Sequence, residues 1–203
     1  MRKRAINWLV AGIVMALGTE IATSAKAAYV LRYEEVGTDV VAKGSGSLDL
    51  TDLSFVGSGV GSCFGANGLF ALACVGPQSI DIDTYRGFLG PLSFGPGTST
   101  FLDSSGSGDF TGIIGRTGFL DLPGGYASLG PLLGEAIFAN SDFQDIGLTP
   151  GTYVWDWGTG PHADTFTVQI GAPEPSTWAL LLEGFGALGL IGYRRTRKAR
   201  AIG

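Results

Sequence analysis

Residues 165–170, Thr-Phe-Thr-Val-Gln-Ile, alternate polar and apolar side chains without a break. A period of two puts Phe166, Val168 and Ile170 on one face of an extended strand, and Thr165, Thr167 and Gln169 on the other. In residues 152–157, Tyr153, Trp155 and Trp157 likewise share a face. Shorter alternations run through Leu48 and Leu50, Ile80 and Ile82, and Leu120 and Leu122, and residues 29–35 form a further expected strand. Between residues 28 and 172 only 141–146 offers a helical period, for one or two turns. This pattern points to an all-β body. Glycine supplies 34 of the 203 residues, more than twice the usual share of about 7 %. It falls between the apolar runs without a three-residue period, so it marks turns rather than collagen. The segment 158–164, with two glycines and a proline, joins the last two strands as a hairpin. The expected architecture is one antiparallel β-sandwich or jelly-roll-like domain over residues 28–172.

Charged residues are 15 % of the chain and apolar ones 45 %, the reverse of what disorder requires. The body holds four cations, Arg32, Lys43, Arg86 and Arg116, against fifteen carboxylates, a balance of −11. Phosphate binding is driven by Lys and Arg, so this balance argues against a nucleic-acid partner. It is the charge of a solvated acidic surface.

The other nine cations sit at the ends. Arg2, Lys3 and Arg4 precede an apolar stretch over 5–17, and a more polar segment closes with Ala25-Lys26-Ala27. This is the order of a secretory signal, with small residues for the −3 and −1 pockets of signal peptidase and cleavage expected after Ala27. The apolar core is too short for a stable span of about 20 residues. At the other end, Pro173-Glu174-Pro175-Ser176-Thr177 leads into 16 largely apolar residues, 178–193, and then Arg194, Arg195, Arg197, Lys198 and Arg200. As a helix, residues 178–193 reach about 24 Å, short of a hydrocarbon core of about 30 Å. Glu183 and four glycines weaken it further. A transmembrane helix of this kind suits temporary retention. The basic cluster belongs on the cytoplasmic side, which puts the body across the membrane, as the leader does.

Residues 173–203 resemble the PEP-CTERM sorting tail of exported bacterial proteins, in order, spacing and position. The resemblance implies Gram-negative bacteria that make exopolysaccharide or biofilm. It also implies recognition by an exosortase at Pro173, Glu174 and Pro175, with cleavage near that motif. Glu183 departs from the family's apolar helix. Such tails are also known as ice-binding protein C-terminal domains; they are shared by unrelated bodies and carry no implication of ice binding. Residues 148–158 with 163–167 are similar to the closing segment of many PEP-CTERM bodies. The expected localisation is an inner-membrane-tethered precursor with a periplasmic body, then the cell surface or the extracellular matrix.

Cys63 and Cys74 are the only cysteines, and an oxidising exterior favours a disulfide between them. Closing so short a loop stabilises by about 3 kcal/mol in the chain-entropy picture. No catalytic constellation emerges. His162 is the only histidine, no Gly-x-Ser-x-Gly elbow is present, and a solvent-exposed loop histidine with Asp164 nearby is the simpler reading. Asp81 with Asp83, and the oxygen-rich loop 103–109, are weak Ca²⁺ candidates that fail the EF-hand pattern. Neither is taken as a metal site, and no cofactor is expected. Trp155 and Trp157 are expected to fill the core. Were they exposed, they could stack on sugars, which frames the alternative reading of a carbohydrate-binding module for exopolysaccharide. The leading reading is a non-enzymatic exported protein of the envelope or biofilm matrix.

Overall fold

Turn residues cut the body into short extended runs. The computed structural model, which describes residues 28–62 and 65–171, arranges those runs as two six-stranded sheets. In chain order the strands are β1 (Ala28–Val36), β2 (Asp39–Gly46), β3 (Ser54–Gly61), β4 (Ala66–Asn67), β5 (Leu72–Val75) and β6 (Ile80–Arg86). They continue as β7 (Ser105–Gly108), β8 (Thr111–Ile114), β9 (Phe119–Pro123), β10 (Leu132–Phe138), β11 (Gly151–Trp157) and β12 (Asp164–Ile170). The first sheet has the order β11-β12-β1-β2-β10-β7 and the second β3-β6-β9-β8-β5-β4.

Both sheets contribute to one apolar core. Tyr29, Leu31 and Tyr33 of β1, Val40 and Ala42 of β2, and Phe166 and Val168 of β12 meet Ala73, Val75, Ile113, Leu120 and Leu122 from the second sheet. The alternation of β12 is realised in full, with Phe166, Val168 and Ile170 buried and the residues between them half-buried. The expected strands at 29–35, 80–83, 120–122, 152–157 and 165–170 are present, as is the hairpin between the last two.

The short helical turn is α1 (Phe143–Ile146). A reciprocal capping box holds its start: Asp145 N–H donates to Asp142 Oδ1 at 2.7 Å, and Asp142 N–H donates to Asp145 Oδ2 at 3.2 Å. Gly147, at φ 72°, ends it in the left-handed conformation that glycine adopts without strain.

Two expectations need correction. The sheets are not wholly antiparallel, because β1 and β12 run parallel, Ala28 opposite Thr165 and Tyr33 opposite Ile170. A parallel pair needs a long connection, and here the entire body supplies it. Residues 47–50, expected as a strand, are irregular. Their backbone is satisfied by side chains instead of a ladder: Leu48 N–H donates to the Tyr126 hydroxyl at 3.0 Å and Leu50 N–H to Ser128 Oγ at 2.9 Å.

The expected leader with Ala25 and Ala27, Cys63, the Pro173-Glu174-Pro175 motif and the transmembrane helix 178–193 lie outside the described residues. Among the described residues no helix is long and apolar enough to cross a membrane.

Candidate functional site

The densest polar arrangement lies where the β11–β12 hairpin meets residues 49–52. Trp157, at the end of β11, donates from Nε1 to the Asp49 carbonyl at 2.8 Å. Asp164, at the start of β12 and 2 % exposed, accepts from Asp49 N–H and from Thr165 N–H, both at 2.6 Å. Between these strands a 3₁₀ turn, Gly160–His162, brings His162 Nδ1 to 2.9 Å from Asp49 Oδ2. Asp49 Oδ1 accepts from the Thr51 hydroxyl at 2.6 Å, Thr51 N–H at 2.9 Å and Ser128 Oγ at 3.3 Å. The imidazole is 48 % exposed while the Asp49 side chain is 8 % exposed.

His162 is the exposed loop histidine expected, and differs from that reading only in having a carboxylate partner. Its partner is Asp49, not Asp164, which is occupied with backbone N–H groups. The trio also differs from a hydrolase triad. Ser128 bonds the aspartate rather than the imidazole, so its hydroxyl is not aligned with a base. What the arrangement does is pin the hairpin to residues 49–51.

The pinning is pH-dependent. The Thr51 hydroxyl first, then the His162 ring, hold the Asp49 carboxyl well below the usual carboxylate range. The hydrogen bond that the His162 ring donates to Asp49 holds His162 above its ordinary value of 6.5, with Asp52 adding a smaller push in the same direction. Burial pushes the neighbouring Asp164 carboxyl up, partly offset by the N–H donors of Asp49 and Thr165. A raised histidine contributes fully below its unfolded value and loses that contribution as pH rises through the folded value. A depressed aspartate contributes above its unfolded value and loses that contribution as pH falls through the folded one. The pair is thus complete between about pH 4 and 6.5. Thermal melts should show wild-type stability declining from pH 6.5 to 8.5 relative to His162→Gln; parallel curves for the two proteins would contradict this.

The other singled-out residues fall as follows. Trp155 is 0 % and Trp157 5 % exposed, so both belong to the core, while Val154 and Asp156, on either side of Trp155, face out. This corrects the sugar-stacking alternative at these residues: their ring faces are taken up by protein. Asp83 accepts from Ser58 Oγ at 2.5 Å and from Gly125 N–H at 2.8 Å. In the loop 103–109, Asp103 is buried and takes Gln78 Nε2, while Asp109 accepts from Leu133 N–H at 2.9 Å. Among the described residues no three His, Cys, Asp or Glu side chains gather where they could hold a metal ion. Comparison with family models, with curated proteins and with solved structures returns no match.

Each of the body's four cations has a local partner. Arg32 Nε donates to Gln169 at 2.8 Å, and Lys43 lies 3.5 Å from Glu135. Arg86 lies over the Phe119 ring and Arg116 over Phe70, at 5.2 and 5.4 Å. They do not form a basic patch. Cys74 sits on β5, 4 % exposed, in a small second cluster with Ile82 and Phe110. Its sulfur accepts from Gly65 N–H at 3.2 Å. Sequence reading did not single out Thr51 or Ser128 and took Asp49 only as a strand residue. The separation of 113 residues between Asp49 and His162 left no local signal to find.

Proposed function

We propose that this chain is an exported, non-enzymatic protein of the cell envelope or extracellular matrix, delivered by an exosortase through residues 173–203. The observation that supports this most is the fit between the fold and the two sequence-predicted cuts. Every described strand lies within residues 28–170, and β12 ends at Ile170, just before Pro173. Removing 1–27 and the sorting tail takes away no strand and no core residue of the described sheets. The body that remains is an acidic β-sandwich of jelly-roll-like kind with scattered, engaged cations, a composition suited to staying soluble outside the cell. The glycan-binding alternative drew on Trp155 and Trp157, both of which are buried.

Fractionation of wild-type cells beside cells lacking the sorting enzyme tests the reading. The body is expected at the surface or in the medium of the first, and as a longer membrane-bound species in the second. The same distribution in both strains would refute it.

We further propose a Cys63–Cys74 disulfide, supported by the exported location and the short loop it would close. Non-reducing peptide mapping should recover the linked pair; two alkylated thiols would end the proposal.

A further inference from the structure

Sheet edges expose rows of backbone N–H and C=O groups, and folded proteins shorten, cover or charge them. Three of the four edges here are protected. β11 carries a charge, Asp156, and is bridged there by Leu89, which exchanges both backbone hydrogen bonds with it at 2.9 Å. β4 has two residues, and its Ala66 is bridged to Phe101 in the same way. β7 has four residues. β3 is different. It has eight residues, Ser-Phe-Val-Gly-Ser-Gly-Val-Gly, six of them exposed, with neither charge nor proline. Among the described residues only β6 pairs with it.

We propose that β3 is a self-pairing edge, through which two copies of this chain join antiparallel into one continuous sheet. The register supports a second copy as the occupant. Val56 is the extra residue of a bulge, since the pairing to β6 shifts between Phe55 and Gly57. Phe55, Ser58 and Val60 therefore share a face, opposite Tyr85, Asp83 and Asp81. A two-fold axis through Ser58 sets Ser58 against itself and Gly57 against Gly59 of the second copy. It also sets Phe55 against Val60 of the second copy, and the reverse. Phe55 is 57 % and Val60 74 % exposed, and aromatic pairs with β-branched residues are favoured cross-strand neighbours.

Charge points the same way. Bodies this acidic repel over most of their surfaces, and β3 is an uncharged stretch. Asp81 and Asp83 lie one strand in, and Asp52 precedes the strand by two residues. Across the joined sheet Asp83 would stand three strand spacings, about 14 Å, from its copy, and Asp81, offset along the strand, farther still; both separations exceed a screening length of about 8 Å at physiological salt.

Cross-linking of the full chain in mild detergent tests this. Ser58→Cys should form a disulfide-linked dimer with a 58-to-58 peptide by mass mapping. Ser54→Cys, about 20 Å from its own copy in this register, should not. Adding Val60→Lys to Ser58→Cys places a charge against Phe55 of the second copy and should abolish the link, with circular dichroism unchanged. A Ser58→Cys chain that stays monomeric would overturn the proposal. So would equal cross-linking through Ser54→Cys, or linking unaffected by Val60→Lys.

Discussion

Trp155→Ala is expected to destabilise the body by about 3–5 kcal/mol, the range for deleting a large aromatic from a packed core. The indole is fully buried and meets Phe166 edge-on, with ring centroids 6.2 Å apart. Its Nε1 donates to the Pro91 carbonyl at 3.0 Å, so truncation also leaves that acceptor unpaired. The cavity cannot collapse easily. Gly90 and Gly115 pack directly on the ring, and neither has a side chain to swing into the space. Val154→Ala is the internal control. It lies one residue away on the opposite face, 41 % exposed, and should cost about 0.5 kcal/mol or less. Urea unfolding with a common m-value measures both. Equal shifts in midpoint would mean that Trp155 does not carry the junction of β11 with the core.

Alanine at all three of Pro173, Glu174 and Pro175 is expected to abolish release of the body and to leave an uncut precursor in the membrane fraction. The physical reason lies in the backbone. Each proline fixes φ and lacks an N–H, and the residue before a proline is driven to extended conformations. An extended segment is what a protease cleft accepts. With three alanines, the best helix formers, the helix expected over 178–193 can run back through the motif. Glu174→Gln separates the two contributions, since it keeps both prolines and removes only the charge. Immunoblots of membrane and medium read the result. Release of the triple variant at wild-type yield would sink the role assigned to the motif.

The parts of the fold that were legible were those whose faces differ in chemistry. Residues 165–170 set large apolar residues against polar ones, residues 152–157 set aromatic residues against smaller ones, and β12 and β11 follow them residue for residue. β2 escaped notice because its inward face is Val40, Ala42 and Gly44, too small to stand out against Lys43 and Ser45. Gly44 is required there, because the Tyr29 hydroxyl occupies the place a Cβ would take. Residues 47–50 misled for the opposite reason. Leu48 and Asp49 are both buried, one in the core and one in the polar junction with His162, so alternation in sequence did not mean alternation in burial. The junction itself was invisible, because Asp49, Ser128 and His162 meet only once the hairpin folds back. The parallel β1–β12 pair was equally hidden, since period two reports a strand's faces and never its neighbours.

The most direct measurement is the intact mass of the body recovered outside the cell. Processing at both ends predicts a species that begins at Ala28 and ends close to Pro173–Pro175, with every described strand retained. A mass matching residues 1–203, or a cut that falls inside β1 or β12, would contradict it.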